Sequence, residues 1–149
     1  MKARMLVLAL LVSAGGYVAC SLGRDKHPAV TAFEAFYWKL QKRDLVAAGA
    51  MVVPGSEADL ALAAQRDGAP GSPDGAVARG FELDVRHEAD GELAGRPAIR
   101  LRGEATVTVD PAGYSSAFGV PTTHEVEARL VEEGGSWRVA AFRDTLLAQ

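Results

Sequence analysis

The chain has 149 residues, enough for one ordinary domain and too few for two. Its 48% apolar and 23% charged content excludes a disordered chain, and a formal charge of −3 argues against non-specific binding to nucleic acid or an anionic membrane face. A single Cys excludes any internal disulfide.

The first element is a targeting segment. Lys2 and Arg4 form a basic head, Met5 to Val12 is an unbroken apolar run, and Ser13 to Gly16 are small. Tyr17-Val18-Ala19-Cys20 follows. This three-part layout is that of a secretory signal. It resembles a bacterial lipoprotein signal, with Ala19-Cys20 matching the acylation site and Tyr17 standing where that family usually has Leu. The resemblance implies that residues 1–19 are removed, that Cys20 takes a diacylglycerol, and that Ser21 directs outer-membrane sorting. Two other readings stay open: an uncleaved anchor, since Met5 to Gly23 carries no charge, and plain cleaved secretion. All three place the domain outside the cytoplasm, in the cell envelope and periplasmic, with the membrane as a partner in the first two.

Residues 20–28 read as a short polar tether, and 29–149 as the domain. Pro28 suits a first helical turn. Val30, Phe33, Tyr37 and Leu40 then recur at helical spacing, with Phe36 widening the stripe. Asp44 reads as the N-cap of a second helix ended by Pro54-Gly55. Ser56-Glu57-Ala58-Asp59 opens a third, carrying Leu60 and Leu62. Gly68 to Gly75 is a loop by composition.

Beyond the loop the period becomes two. Phe81, Leu83, Val85 and His87 alternate with polar residues, and Asp90-Gly91 reads as a hairpin turn. Ile99 to Val109 and His124 to Leu130 alternate likewise, separated by a loop containing Tyr114 and Phe118. Gly134-Gly135 then turns the chain into Trp137, Val139 and Ala141. Alternation of this kind means antiparallel strands with one buried face. The class is α+β, with N-terminal helices packed on a curved antiparallel sheet. The expected core is Phe33, Tyr37, Leu40, Leu83, Val85, Leu101, Val107, Val126, Leu130, Trp137 and Val139.

Two segments carry a further resemblance. Ala32-Phe33-Glu34-Ala35-Phe36-Tyr37, followed by Asp44-Leu45 and Ala47-Ala48, gives an aromatic first helix, an Asp at the break and an alanine-rich second helix. Gly135-Ser136-Trp137-Arg138-Val139 opens the last strand. Together they resemble the NTF2-like superfamily over residues 29–147. The resemblance implies a cone between sheet and helix. It implies no activity, because the fold carries enzymes, transport factors and envelope scaffolds alike.

Four residues are candidates to line a pocket: Trp38, His87, His124 and Arg143. His87 and His124 end apolar-parity runs, so each is a candidate acid/base or polar-recognition group. The plainer reading leaves each half exposed at a strand end. No carboxylate adjacent in sequence shares a face with either one. An orienting acid would have to come from a helix or from the end of the last strand. Arg143 shares parity with Trp137 and Val139, whereas Asp144 has the opposite parity. No P-loop, dinucleotide signature or metal-ligand set appears, so neither cofactor nor metal is expected. No catalytic residue is assigned. The expected role is a binding or accessory module that takes a small apolar ligand or an envelope protein. The alternative is a pocket isomerase, dehydratase or hydrolase using an inward-facing His.

Overall fold

The computed structural model describes residues 26–68, 77–110 and 119–147. The targeting segment with Cys20 and both composition-defined loops, including Tyr114 and Phe118, lie outside them.

Helix α1 (Pro28–Gln41) starts where Pro28 needs no N–H partner and where the His27 imidazole Nδ1 accepts the Ala29 N–H at 3.2 Å. It buries Ala29, Val30, Phe33, Phe36 and Tyr37. Its end is a paired cap: Arg43 N–H donates to the Leu40 carbonyl and Asp44 N–H to that of Lys39, both at 3.0 Å. That geometry puts Arg43 at φ 59°, the left-handed region that glycine occupies without penalty. Asp44 then caps α2 (Leu45–Gly49), accepting Ala47 N–H at 3.1 Å. Val52 forms an isolated parallel bridge to Val139. Ser56 and Asp59 cap α3 (Glu57–Gly68) reciprocally: the Ser56 hydroxyl accepts Asp59 N–H at 3.3 Å, and the Asp59 carboxylate accepts Gly55 N–H at 2.8 Å. Helix α3 buries Ala58 and Leu62, while Leu60 is 67% exposed.

The strands β1 (Val77–Leu93), β2 (Arg96–Asp110), β3 (Val120–Glu133) and β4 (Ser136–Leu146) form one antiparallel meander in chain order. Helices α1 and α3 contact this sheet and α2 packs on both of them, so the architecture is α+β. The turn Gly134-Gly135 stands where the sequence puts it, with φ of 60° and 81°. Asp90-Gly91 does not turn the chain. It is a bulge inside β1, where the register passes from Ala89–Ile99 to Glu92–Pro97. The turn comes at Ala94-Gly95, again with both φ positive. Asp90 is held on the solvent face by Arg129 at 2.6 Å and Arg100 at 3.3 Å, which favours continuation of the strand past it.

The core lies between α1 and the sheet. Of the residues expected there, Phe33, Tyr37, Leu101, Val107, Val126, Leu130 and Val139 are buried. Leu40, Leu83, Val85 and Trp137 are half-buried and pack against them. Leu83 and Val85 belong to an edge strand, which has a neighbour on only one side. Gly103, in β2, allows β1 to pass close: a Cβ there would run into the Asp84 carbonyl oxygen.

A second bulge decides what reaches the interior. Strands β3 and β4 pair Leu130 with Val139 but Arg129 with Ala141, so Ala140 is an extra residue on β4. Beyond it the parity of β4 reverses. Arg143, expected toward the buried face, is turned outward and exposed. Phe142 and Asp144 take the inner positions.

Candidate functional site

Asp144 meets α1 and β3 at the end of the sheet. One carboxylate oxygen, Oδ1, lies 2.7 Å from Nδ1 of His124. The other, Oδ2, accepts the Tyr37 hydroxyl at 3.1 Å and the Gln41 side-chain amide at 3.4 Å. With the carboxylate as acceptor, Nδ1 of His124 carries a proton. The far ring nitrogen, Nε2, lies 2.9 Å from the Thr122 hydroxyl, which also lies 3.1 Å from the Val107 carbonyl. A hydroxyl has one proton to give. If Thr122 donates it to His124, the imidazole is neutral. If Thr122 donates to Val107, Nε2 must donate to the hydroxyl and the ring is cationic. The Thr122 rotor therefore registers the charge on His124.

His124 and Asp144 are similarly accessible, with 17% and 18% of their side-chain surfaces exposed. Tyr37 is 1% exposed. Its burial, the charge of Asp144 and the hydrogen bond to that carboxylate, in that order, push the phenol far above its ordinary range. Tyr37 is thus a fixed donor that stays protonated.

The pair stands in the wall of an open cleft of about 1360 Å³. Helix α1 contributes Leu40 and Gln41, the α1–α2 break Arg43 and Asp44, and α2 Leu45 and Val46. Helix α3 adds Ala61, Ala64, Gln65 and Arg66, while the strand ends add Val109, His124, Phe142, Asp144 and Leu146. The walls are mixed: apolar surface exceeds polar only modestly, and Gln41, Arg43, Asp44, Gln65, Arg66, His124 and Asp144 stand among the apolar side chains.

Of the four sequence candidates, the structure brings His124 to this cleft, and Arg143 touches its edge from the outward face of β4. Trp38 stands apart from it, tilted against Phe81 at 5.8 Å and capped by Lys42 Nζ at 4.5 Å from its ring centre. His87 is exposed on β1 and stacks on His27 at 4.7 Å, and His27 in turn meets the edge of Trp137 at 5.5 Å. That aromatic cluster packs the start of α1 onto the sheet. Among the described residues no cluster of His, Cys, Asp and Glu is arranged to hold a metal ion.

Tyr37, Thr122 and Asp144 are the site residues that sequence reasoning missed. A signal for Asp144 existed. Val139-Ala140-Ala141-Phe142 is four apolar residues in a row, which a strict period of two cannot place. Seating Phe142 inward requires an extra residue, and that residue carries Asp144 inward with it.

Set against known proteins, the chain matches no protein-family model, no curated protein and no solved structure.

Proposed function

We propose that the chain is a membrane-tethered, extracytoplasmic binding module of the cell envelope, an NTF2-like cone whose open end takes up a small, mainly apolar molecule. The observation that carries this reading is the open cleft with partly apolar walls and one oriented imidazole–carboxylate pair, His124 and Asp144. The apolar parts of the walls supply burial, and the pair supplies a directional polar contact that selects the ligand's orientation. The tether rests on the basic, apolar and small segments that end at Ala19-Cys20. The test is a small-molecule screen on the full chain in detergent, read as a rise in unfolding temperature. Hits should shift the His124 ring nitrogen signals in NMR. They should lose their effect in Ala64→Trp, where a bulky ring fills the cleft. Hits that stabilise Ala64→Trp as well as the wild type would place binding elsewhere and end this reading.

One observation favours a second reading. The 2.7 Å contact orients Nδ1 of His124 as a catalytic acid/base requires. An isomerase, dehydratase or hydrolase would then use Nε2, with Thr122 displaced or acting as a relay. Turnover of an enolisable ketone, a β-hydroxy carbonyl compound or an ester, lost in His124→Ala, would establish it. A His124→Ala variant that weakens binding where the wild type turns nothing over supports the binding module.

A further inference from the structure

We propose that the ligand of the cleft is an organic anion: an apolar body carrying a carboxylate or phosphate that Arg43 holds. This rests on the reading of the cleft as a binding site. The lining includes Arg43 and Arg66 against two carboxylates, those of Asp44 and Asp144, while Arg143 touches its edge from the outward face of β4. Both carboxylates are already engaged within the protein. Asp44 accepts Ala47 N–H and has Lys39 at 3.9 Å, while Asp144 has Tyr37, Gln41 and His124. Arg66 is engaged too, donating to the Leu45 carbonyl at 2.6 Å.

The guanidiniums of Arg43 and Arg143 have no hydrogen-bond or ion-pair partner among the described residues. This is unusual in the molecule. Arg79, Arg96, Arg100, Arg102, Arg129 and Arg138 each lie within ion-pair distance of a carboxylate. Arg86, out on the solvent face of the sheet, is the other described guanidinium with neither a hydrogen-bond nor an ion-pair partner. The cleft therefore offers unspent positive charge beside partly apolar walls, in a chain whose formal charge is −3. Such a chain repels anions in general, so an anion reaching this cleft is bound by local geometry. A planar guanidinium fork matches both carboxylate and phosphate.

The backbone supplies a second, independent observation. Arg43 occupies the left-handed position after α1, at φ 59°, where glycine is the unstrained choice. Residues held in sparsely populated backbone regions cluster at ligand clamps. A strained position filled by the one side chain that faces the cleft with a free cation fits that pattern.

The test uses the full chain in lipid nanodiscs, with empty nanodiscs as the blank, and isothermal titration with three probes: 1-naphthylacetate, 1-naphthyl phosphate and the neutral 1-naphthylacetamide. The variants are Arg43→Gly and, as controls on outward faces of the sheet, Arg143→Gln and Arg86→Gln. Glycine suits the Arg43 backbone and Arg143 is exposed, so both variants should fold. The expected result is that one or both anions bind about tenfold or more tighter than the amide, the difference a charged hydrogen bond makes. Arg43→Gly should erase about that factor for the anions and leave the amide unchanged, while Arg143→Gln and Arg86→Gln change neither. The better of the two anions identifies the head group. Equal binding of anions and amide overturns the anion assignment and leaves the cleft as a neutral apolar site. An anion preference that survives Arg43→Gly also overturns it. No binding of any probe removes the cleft reading and this proposal with it.

Discussion

Asp144 is the residue on which most of the polar interior converges. It accepts from Tyr37 and Gln41 on α1 and faces His124 on β3, so one carboxylate ties three elements together. Tyr37→Phe removes a buried donor and leaves Oδ2 with the longer Gln41 contact. The expected cost is about 1–3 kcal/mol in urea unfolding at pH 7. The same substitution should change the alkaline limb of stability. Folded Tyr37 has its pKa raised, whereas an unfolded tyrosine ionises near 10. Its contribution is therefore complete below about pH 10 and declines as the pH rises above that value, because the unfolded chain can lose the proton and the folded one resists. Wild-type stability measured between pH 8 and 11.5 should fall more steeply than that of Tyr37→Phe. Parallel curves would mean that the phenol titrates alike in both states, and that its environment is wetter than the geometry implies.

At the scale of elements, most caps and turns of the chain follow local chemistry, and the exceptions are the two non-glycine residues at positive φ, Arg43 and Ala94. Asp44, Ser56 and Gly134-Gly135 sit where their side chains or backbones are best suited. Arg43 does not. Arg43→Gly should relieve the left-handed strain and stabilise the fold by about 1 kcal/mol, read as a higher urea midpoint with an unchanged slope. A drop in stability would show that the guanidinium contributes packing to the break between α1 and α2. The elements that sequence placed well are those whose signal is periodic: the Phe33–Tyr37 stripe of α1 and the alternation through Leu101 and Val107. Both bulges escaped, because an extra residue leaves composition untouched and alters only phase. Asp90-Gly91 has the residues of a turn and is used as a bulge, the choice being made by Arg100 and Arg129 on other parts of the sheet. Ala140 shifts the phase of β4, so Arg143 and Asp144 exchanged faces relative to the expectation. The site was legible as far as His124, which lies before any shift in β3, and illegible at Asp144, which lies after one in β4. The hydroxyls of Tyr37 and Thr122 were hidden for a different reason. Their partners are 107 residues away in sequence for Tyr37 and across a strand pair for Thr122, and no local pattern announces such meetings.

For the whole molecule, the question is how the domain is held. Cys20→Ser should release the protein from the membrane fraction if Cys20 bears the anchoring lipid, and mass spectrometry of the wild-type protein should find an acylated peptide beginning at Cys20. Retention of Cys20→Ser with an intact Met1 would identify an uncleaved anchor instead. Either way, the chain enters the domain at His27, which packs against His87 and Trp137. From there α1 runs its 14 residues, about 21 Å, to Gln41 beside Asp144. The chain's entry into the domain and the cleft are thus at opposite ends of one helix. From Cys20 to His27 the chain can reach at most about 25 Å even when fully extended. If Cys20 bears the anchor, a leash that short, fastened where the chain enters the domain, favours a cleft mouth that opens into the aqueous phase. The domain would then sample dissolved molecules and not the lipid layer beneath it. Short-chain or aromatic acids that travel through water fit this geography, whereas a long-chain lipid would have to leave its bilayer entirely before it could be met.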